Sequence, residues 1–92
     1  MILSFRCQET EALHLGFSSR KFRAIEQPAR TRLARLHAAM RLGDLAAIPG
    51  NRLEALKGER AGQHSIRVND RWRICFTWRE GNAYNVEIVD YH

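Results

Sequence analysis

The sequence predicts an α+β fold in which a mostly antiparallel, twisted sheet carries N-terminal helices on one face. Three observations lead there. The apolar residues repeat with a helical period before Pro49 and with a period of two after it. Two hairpin signals, Asn69-Asp70 and Glu80-Gly81-Asn82, divide the second half into strand-length pieces. The length of 92 residues, with 45% hydrophobic and 27% charged side chains, suits a single domain over residues 1–92, because two would each lack a sufficient core.

The elements follow in order. Ile2-Leu-Ser-Phe-Arg6 reads as a short opening strand, and Glu9 to Leu15 as a short helix ended near Gly16. Pro28 suits the first residue of a longer helix, where its missing N–H costs nothing. Ala29, Leu33, Leu36 and Met40 recur at steps of four, three and four, which places them within an arc of about 60° on a helix. That stripe is the expected buried side, with Arg30, Arg32, Arg35 and Arg41 round the rest of the cylinder. Gly43-Asp44 is read as the end of this helix, Leu45 to Ile48 as a brief turn, and Pro49-Gly50-Asn51 as the boundary between the halves. Ile66 and Val68 then alternate with Ser65 and Arg67, and Asn69-Asp70 supplies a tight turn because both residues tolerate positive φ. Trp72, Ile74, Phe76 and Trp78 alternate with Arg73, Cys75, Thr77 and Arg79, so one side of this strand is core and the other carries two arginines. A last strand over Ala83 to Val89 has Tyr84, Val86 and Ile88 as its apolar side. The sheet's second face is left for a ligand.

Thirteen arginines and two lysines against ten acidic residues leave a net charge of +5. Arginine is favoured where a planar fork of donors must grip phosphate, so the first expectation is an anionic partner. Residues 20–41 sum to +6 and residues 52–79 to +4, while residues 80–92 sum to −3. The N-terminus lacks a basic n-region and a long apolar run, and nowhere do about 18 apolar residues occur together, so a cytoplasmic protein with no membrane partner is expected. Cys7 and Cys75 show no CxxC or Cys/His ligand spacing. They are read as reduced, strand-borne thiols, with a disulfide between them left open, and neither a metal nor a cofactor is expected.

Three groups of residues could carry chemistry. Asp90, Tyr91 and His92 place a carboxylate, a phenol and an imidazole in one short segment behind an apolar strand, the ingredients of proton transfer and base stacking. Lys57 and Arg60 lie in a loop flanked by Gly58 and Gly62, where backbone N–H groups and cations can approach a phosphate; the same loop would also serve as an exposed connector. Arg73 is held by a strand and points to the face away from Trp72 and Ile74, either toward a ligand or into an ion pair, for which alternation makes Glu87 available.

The pieces Leu53-x-x-Leu56-Lys57-Gly58-x-Arg60-x-Gly62, Ser65-Ile66-x-Val68-Asn69, Trp72-Arg73-Ile74-x-Phe76, Gly81-x-Ala83-Tyr84 and Asp90-Tyr91-His92 strongly resemble the HigB toxins, or plasmid maintenance system killer proteins, of the RelE/ParE superfamily. The resemblance covers essentially the whole chain. It implies the small RelE-like α+β domain, a HigA-type helix-turn-helix antitoxin as partner, operator DNA reached only through that antitoxin, and cleavage of messenger RNA in the ribosomal A site. The implied reaction is metal-free: the ribose 2′-OH attacks the adjacent phosphate, the 5′-oxygen leaves and a 2′,3′-cyclic phosphate results. On the matching positions, Asp90 would be the base or orient it, and His92 would be a general acid or base. Lys57 and Arg73 would hold the phosphate, and Tyr91 would stack on or orient a nucleobase. Arg60 and Arg67, with Arg30 and Arg35 on the helix, are the candidate RNA contacts.

One position departs from the family pattern. Many relatives have His in a Leu-His-Pro-Leu-Lys-Gly version of the loop, where this chain has Glu54. A carboxylate there is able to accept a proton, and equally would repel a substrate phosphate. Strict alternation also puts Asp90 and His92 on the side of Ile88 and Tyr91 with Arg73, so convergence of the four requires the strand to end near Val89. The leading expectation is a ribosome-dependent endoribonuclease. The alternatives are a ParE-like toxin that inhibits gyrase by binding, or a basic RNA-binding adaptor without toxicity.

Overall fold

The computed structural model describes residues 1–90. Helices α1 (Gln8–His14), α2 (Glu26–Ala38) and α3 (Leu42–Ala46) precede strands β1 (Glu54–Ala55), β2 (Gln63–Arg67), β3 (Trp72–Arg79) and β4 (Asn82–Asp90). The strands form one sheet in the order β1-β2-β3-β4, with every neighbouring pair antiparallel. The predicted α+β class is thus observed, with the helices gathered on one face.

Local chemistry sets the helix limits. Gly16 at φ 97° follows α1 and turns the chain where other residues would be strained. Thr10 Oγ1 accepts the Ile88 N–H at 3.0 Å, fastening α1 to β4. Helix α2 starts at Glu26, earlier than the predicted Pro28, yet Pro28 still lies in the first turn, where no intrahelical acceptor serves its position. The larger correction is at the other end. The helix stops at Ala38, so Ala39 turns into the core while Met40, expected to be buried, is 80% exposed. The Met40 and Arg41 N–H groups donate to Asp44 Oδ2 at 2.9 and 3.2 Å, which starts α3. Gly43 and Asp44 therefore lie inside a new short helix instead of ending the long one, and Leu45, expected in a turn, is fully buried.

The core lies between the helices and one sheet face, with Leu13, Phe22, Ala29, Leu33, Leu36 and Leu45 meeting Ile66, Ile74, Phe76, Val86 and Ile88. Each large side chain buried there contributes about 1.5–3 kcal/mol. The alternation of β3 holds: Trp72 and Trp78 pack against this core, and Phe22 meets Trp72 edge to face with centroids 5.4 Å apart.

Strand β4 departs from strict alternation. Its pairing with β3 shifts between Cys75 and Thr77, so that Cys75 faces Glu87 but Thr77 faces Tyr84. Asn85, at φ 54°, is the extra residue of this bulge. Val86 and Ile88 point to the core as expected, but Ala83 takes the inward position and Tyr84 moves to the opposite face. There the Arg79 guanidinium lies 4.4 Å from the Tyr84 ring centroid.

The opening segment makes only isolated parallel bridges to β4, Ile2 to Ala83 and Phe5 to Val86, because the bulge interrupts the ladder between them. Ser4 Oγ accepts the Asn85 N–H at 2.8 Å and closes that gap. The hairpin turns also differ. Glu80 and Gly81 both adopt positive φ, 50° and 79°, and form a two-residue loop between the paired Arg79 and Asn82. Asn69 and Asp70 do not have positive φ. The Asn69 side-chain oxygen instead accepts the N–H groups of Arg71 and Trp72 at 2.9 and 2.8 Å. Cys7 precedes α1 and is not on a strand, while Cys75 is buried on β3; both are free thiols.

Candidate active site

The sheet face away from the helices gathers most of the polar residues of interest. Directly paired residues of neighbouring strands share a face. Pairing therefore aligns Glu54, Ser65, Cys75 and Glu87 in one row across all four strands, with Arg67, Arg73 and Val89 in a parallel row. Ser65 and Cys75 are fully buried and form the floor. Arg73 leans over that floor. Its Nε donates to Ser65 Oγ at 2.8 Å, and its Nη2 donates to the Arg52 carbonyl at 2.6 Å. Arg52 adopts φ 47°, a left-handed conformation uncommon outside glycine. The guanidinium is thus fixed by a strand, a hydroxyl and a turned carbonyl, and the Arg73 residue is only 9% exposed.

The loop after β1 brings the other cations. Gly58 at φ 66° and Gly62 at φ 94° bracket a tight 3-10 turn over Gly58–Arg60. Glu54, Ala55, Leu56 and Lys57 line an open depression of about 480 Å³, so Glu54 and Lys57 share one concavity. Arg60 folds back over the sheet, where its Nη1 donates to Gln63 Oε1 at 3.0 Å and to Glu87 Oε2 at 3.1 Å. Glu87 also approaches Arg6 Nη1 at 3.9 Å. The charges converge above Cys75: burial is the main force pushing its thiol pKa up, opposed by Arg60 and Arg73 and reinforced by Glu87 and Glu54. A raised pKa keeps the thiol protonated and unsuited to nucleophilic work.

Asp90 lies elsewhere. Strand β4 continues through Asp90, which pairs with Trp72, while Val89 shares the row of Arg73. Asp90, the last described residue, therefore lies on the side of β4 opposite the Arg73 row. Asp90 Oδ2 lies 2.9 Å from both Nε and Nη2 of Arg71, whose guanidinium stands over the Trp72 ring. Tyr91 and His92 lie outside the described residues.

The candidate RNA contacts divide by environment. Arg30 is tied inward, donating to the carbonyls of Leu13 and Phe17 at 3.2 and 2.8 Å, so it staples α1 to α2. Arg67 pairs with Asp70. Arg32, which alternation did not single out, donates to the Arg67 carbonyl at 3.3 Å. Burial, with the nearby charges of Arg35 and Arg67, lowers the Arg32 pKa. Arg32, Arg35 and Arg67 thus form a basic group at the end of β2, and none of them lines the Glu54 depression. Among the described residues, no group of three His, Cys, Asp or Glu is arranged to hold a metal ion.

Sequence reasoning missed Arg52, Gln63 and the part played by Ser65. Alternation already placed Ser65 on the Arg73 face. The Arg52 carbonyl and the Gln63 contact depend on loop geometry that carries no periodic signal.

Two solved structures of YoeB–YefM toxin–antitoxin complexes from Staphylococcus aureus share the fold. One covers 100% of this chain and 98% of its own at a TM-score of 0.63 and 18% identity, and the other has the same coverage at 0.54 and 17%. Toxin HigB-1 of Vibrio cholerae serotype O1 is 44% identical over 62 residues, 67% of this chain and 65% of that one. Endoribonuclease HigB of Proteus vulgaris is 40% identical over 65 residues, 66% of this chain and 65% of that one. The matches thus span just under two thirds of the curated relatives. The model of the HigB-like toxins, RelE-like toxins of the type II toxin–antitoxin system HigB, matches residues 9–92. The chain belongs to the HigB-like family of RelE-like toxins.

Proposed function

We propose that this chain is an endoribonuclease toxin that cuts messenger RNA in the A site of the translating ribosome. The observation that carries the reading is the row of Glu54, Ser65, Cys75 and Glu87 on one sheet face, contacted by Arg60 and Arg73, with Lys57 in the depression that Glu54 lines. An RNA-cleaving site needs a proton acceptor beside cations that hold a phosphate, and this face has both. The Proteus vulgaris relative is named an endoribonuclease.

Glu54 is the base in this reading. Its carboxylate takes the proton of the ribose 2′-OH as the 2′-oxygen bonds to phosphorus. Arg73 and Lys57 stabilise the charge that grows on the phosphoryl oxygens, with Arg60 on a neighbouring phosphate. The bond from phosphorus to the 5′-oxygen breaks, and that oxygen receives a proton from a general acid, for which His92 is the candidate. Asp90 pairs with Arg71, and Tyr91 is the candidate to stack on a nucleobase. No cofactor or metal enters these steps. Arg32, Arg35 and Arg67 dock the protein on ribosomal RNA, where phosphate contacts position without reading sequence. The partner that silences the toxin is an antitoxin of the HigA helix-turn-helix type, and both act in the cytoplasm. No helix of the described residues is long and apolar enough to cross a membrane.

The test is induction of the wild type and of Glu54→Gln and Arg73→Ala, followed by mapping of transcript 5′ ends. Codon-spaced cuts that vanish when translation is blocked, and are lost in both variants, support the reading. Intact transcripts with stalled gyrase overturn it in favour of a ParE-like toxin.

A further inference from the structure

A half-buried carboxylate, Glu87, sits on the same sheet face as the cations that would receive RNA, where it opposes phosphate binding unless it serves something else. Its geometry says what that is. Glu87 Oε2 accepts from Arg60 Nη1 at 3.1 Å, and Gln63 Oε1 accepts from the same nitrogen at 3.0 Å. An Nη nitrogen carries two hydrogens, so these two bonds occupy Nη1 and direct the rest of the guanidinium. The Glu87 side chain is 16% exposed and that of Arg60 is 35% exposed, so the anchor is sheltered while the cation reaches solvent.

Arg60 also needs an anchor more than Arg73 does. Arg73 grows from the start of β3 and is held there by Ser65 and the Arg52 carbonyl, whereas Arg60 ends a three-residue 3-10 turn in a loop bracketed by two glycines at positive φ. A long side chain on such a base samples many rotamers, and ordering it on binding costs entropy that a preformed contact removes beforehand. Gln63 and Glu87 come from β2 and β4, two rigid strands on either side of β3. They hold Arg60 from both sides.

We propose that Glu87, acting with Gln63, is a positioning residue for substrate: it fixes Arg60 through Nη1 so that Nε and Nη2 meet a phosphate of the bound RNA. The role rests on the nuclease reading above. It assigns Glu87 no contact with RNA and no part in proton transfer. Its signature is a loss in substrate binding that exists only while Arg60 is present.

The experiment is a double-mutant cycle on steady-state cleavage of a translated messenger RNA, using the full chain as wild type, Glu87→Gln, Arg60→Ala and the double variant. Glu87→Gln keeps size and one acceptor but removes the charge that strengthens the bond. It is expected to raise KM roughly 3- to 10-fold with little change in kcat, the scale of a weakened charge-assisted hydrogen bond. In the Arg60→Ala background it is expected to do nothing further. Glu87→Asp is expected to recover part of the loss, and Gln63→Ala to raise KM in the same sense. Melting curves on each variant separate loss of fold from loss of positioning. An equal KM increase with and without Arg60 overturns the proposal in favour of a structural role for Glu87. A lowered KM in Glu87→Gln overturns it in favour of simple repulsion of RNA. A wild type that leaves transcripts intact removes the nuclease reading and this role with it, whereas a cleaving wild type with either adverse result removes the role alone.

Discussion

Arg73 is held by Ser65: Nε of the guanidinium donates to the Ser65 hydroxyl at 2.8 Å, in a part of the sheet where Ser65 is fully buried. Neighbouring strands thus build the pair, with Arg73 on β3 and Ser65 on β2, and neither side chain is placed by its own strand alone. Removing the hydroxyl leaves a sheltered guanidinium N–H without its acceptor. Hydrogen bonds to charged groups contribute about 1.5–3 kcal/mol, so Ser65→Ala is expected to lower stability by about that amount in urea unfolding. Cleavage is expected to fall with it. Arg73→Lys is expected to fail as a replacement, because one ammonium cannot reproduce a fork that spans Ser65 Oγ and the Arg52 carbonyl.

The identity of the base is open to a kinetic test. Glu54→Gln keeps the shape and removes the proton acceptor, so kcat is expected to fall about 10²- to 10⁴-fold, the usual contribution of general base catalysis. Glu54→His is expected to restore activity in part and to bring the acid limb of the pH–rate profile to about 6.5, the ordinary imidazole value. An unchanged profile in Glu54→His would assign the base elsewhere, with Asp90 the next candidate.

The bulge at Asn85 decides which face Tyr84 occupies. A β-branched residue tolerates the left-handed conformation poorly, so Asn85→Val is expected to cost about 1–2 kcal/mol. Asn85→Gly is expected to be tolerated, since glycine adopts φ 54° without strain. Thermal melts of the two variants distinguish a bulge set by this residue from one imposed by the surrounding strands.

Stability is expected to decline in mild acid through His14. Burial first, and then the neighbouring His37, hold the His14 pKa below the ordinary imidazole value. The rings stand 5.1 Å apart between centroids. As pH falls below about 6.5 the unfolded chain takes up a proton that the folded chain refuses, so unfolding becomes more favourable until the folded value is passed. His14→Gln is expected to flatten the decline in melting temperature between about pH 7 and 5.

Much of the site was legible in the chain because strands impose a period of two. Arg73 opposite Trp72 and Ile74, Ser65 opposite Ile66, and Glu87 between Val86 and Ile88 all follow from alternation, and their strands are where alternation put them. Two placements failed for identifiable reasons. Met40 continued a helical stripe on paper, but Asp44 captures the N–H groups of Met40 and Arg41 and α2 stops before the stripe is complete. Tyr84 matched the apolar side of β4, but one left-handed asparagine advances the register by a residue and turns the ring to the other face. A period argument cannot register a single inserted residue.

By itself the sequence determined the class of fold, the core side of β3, the basic character and the residues able to do the chemistry, since these depend on composition and on neighbours along the chain. Only the tertiary structure decided their company. Glu54 joins the row of Ser65, Cys75 and Glu87 because β1 pairs with β2, and Arg60 reaches Glu87 because a glycine-bracketed turn folds it across the sheet. Asp90 stays with Arg71 because β4 continues past Val89. Hydrogen bonding between strands far apart in sequence fixes which side chains meet, and that pairing is a property of the folded sheet.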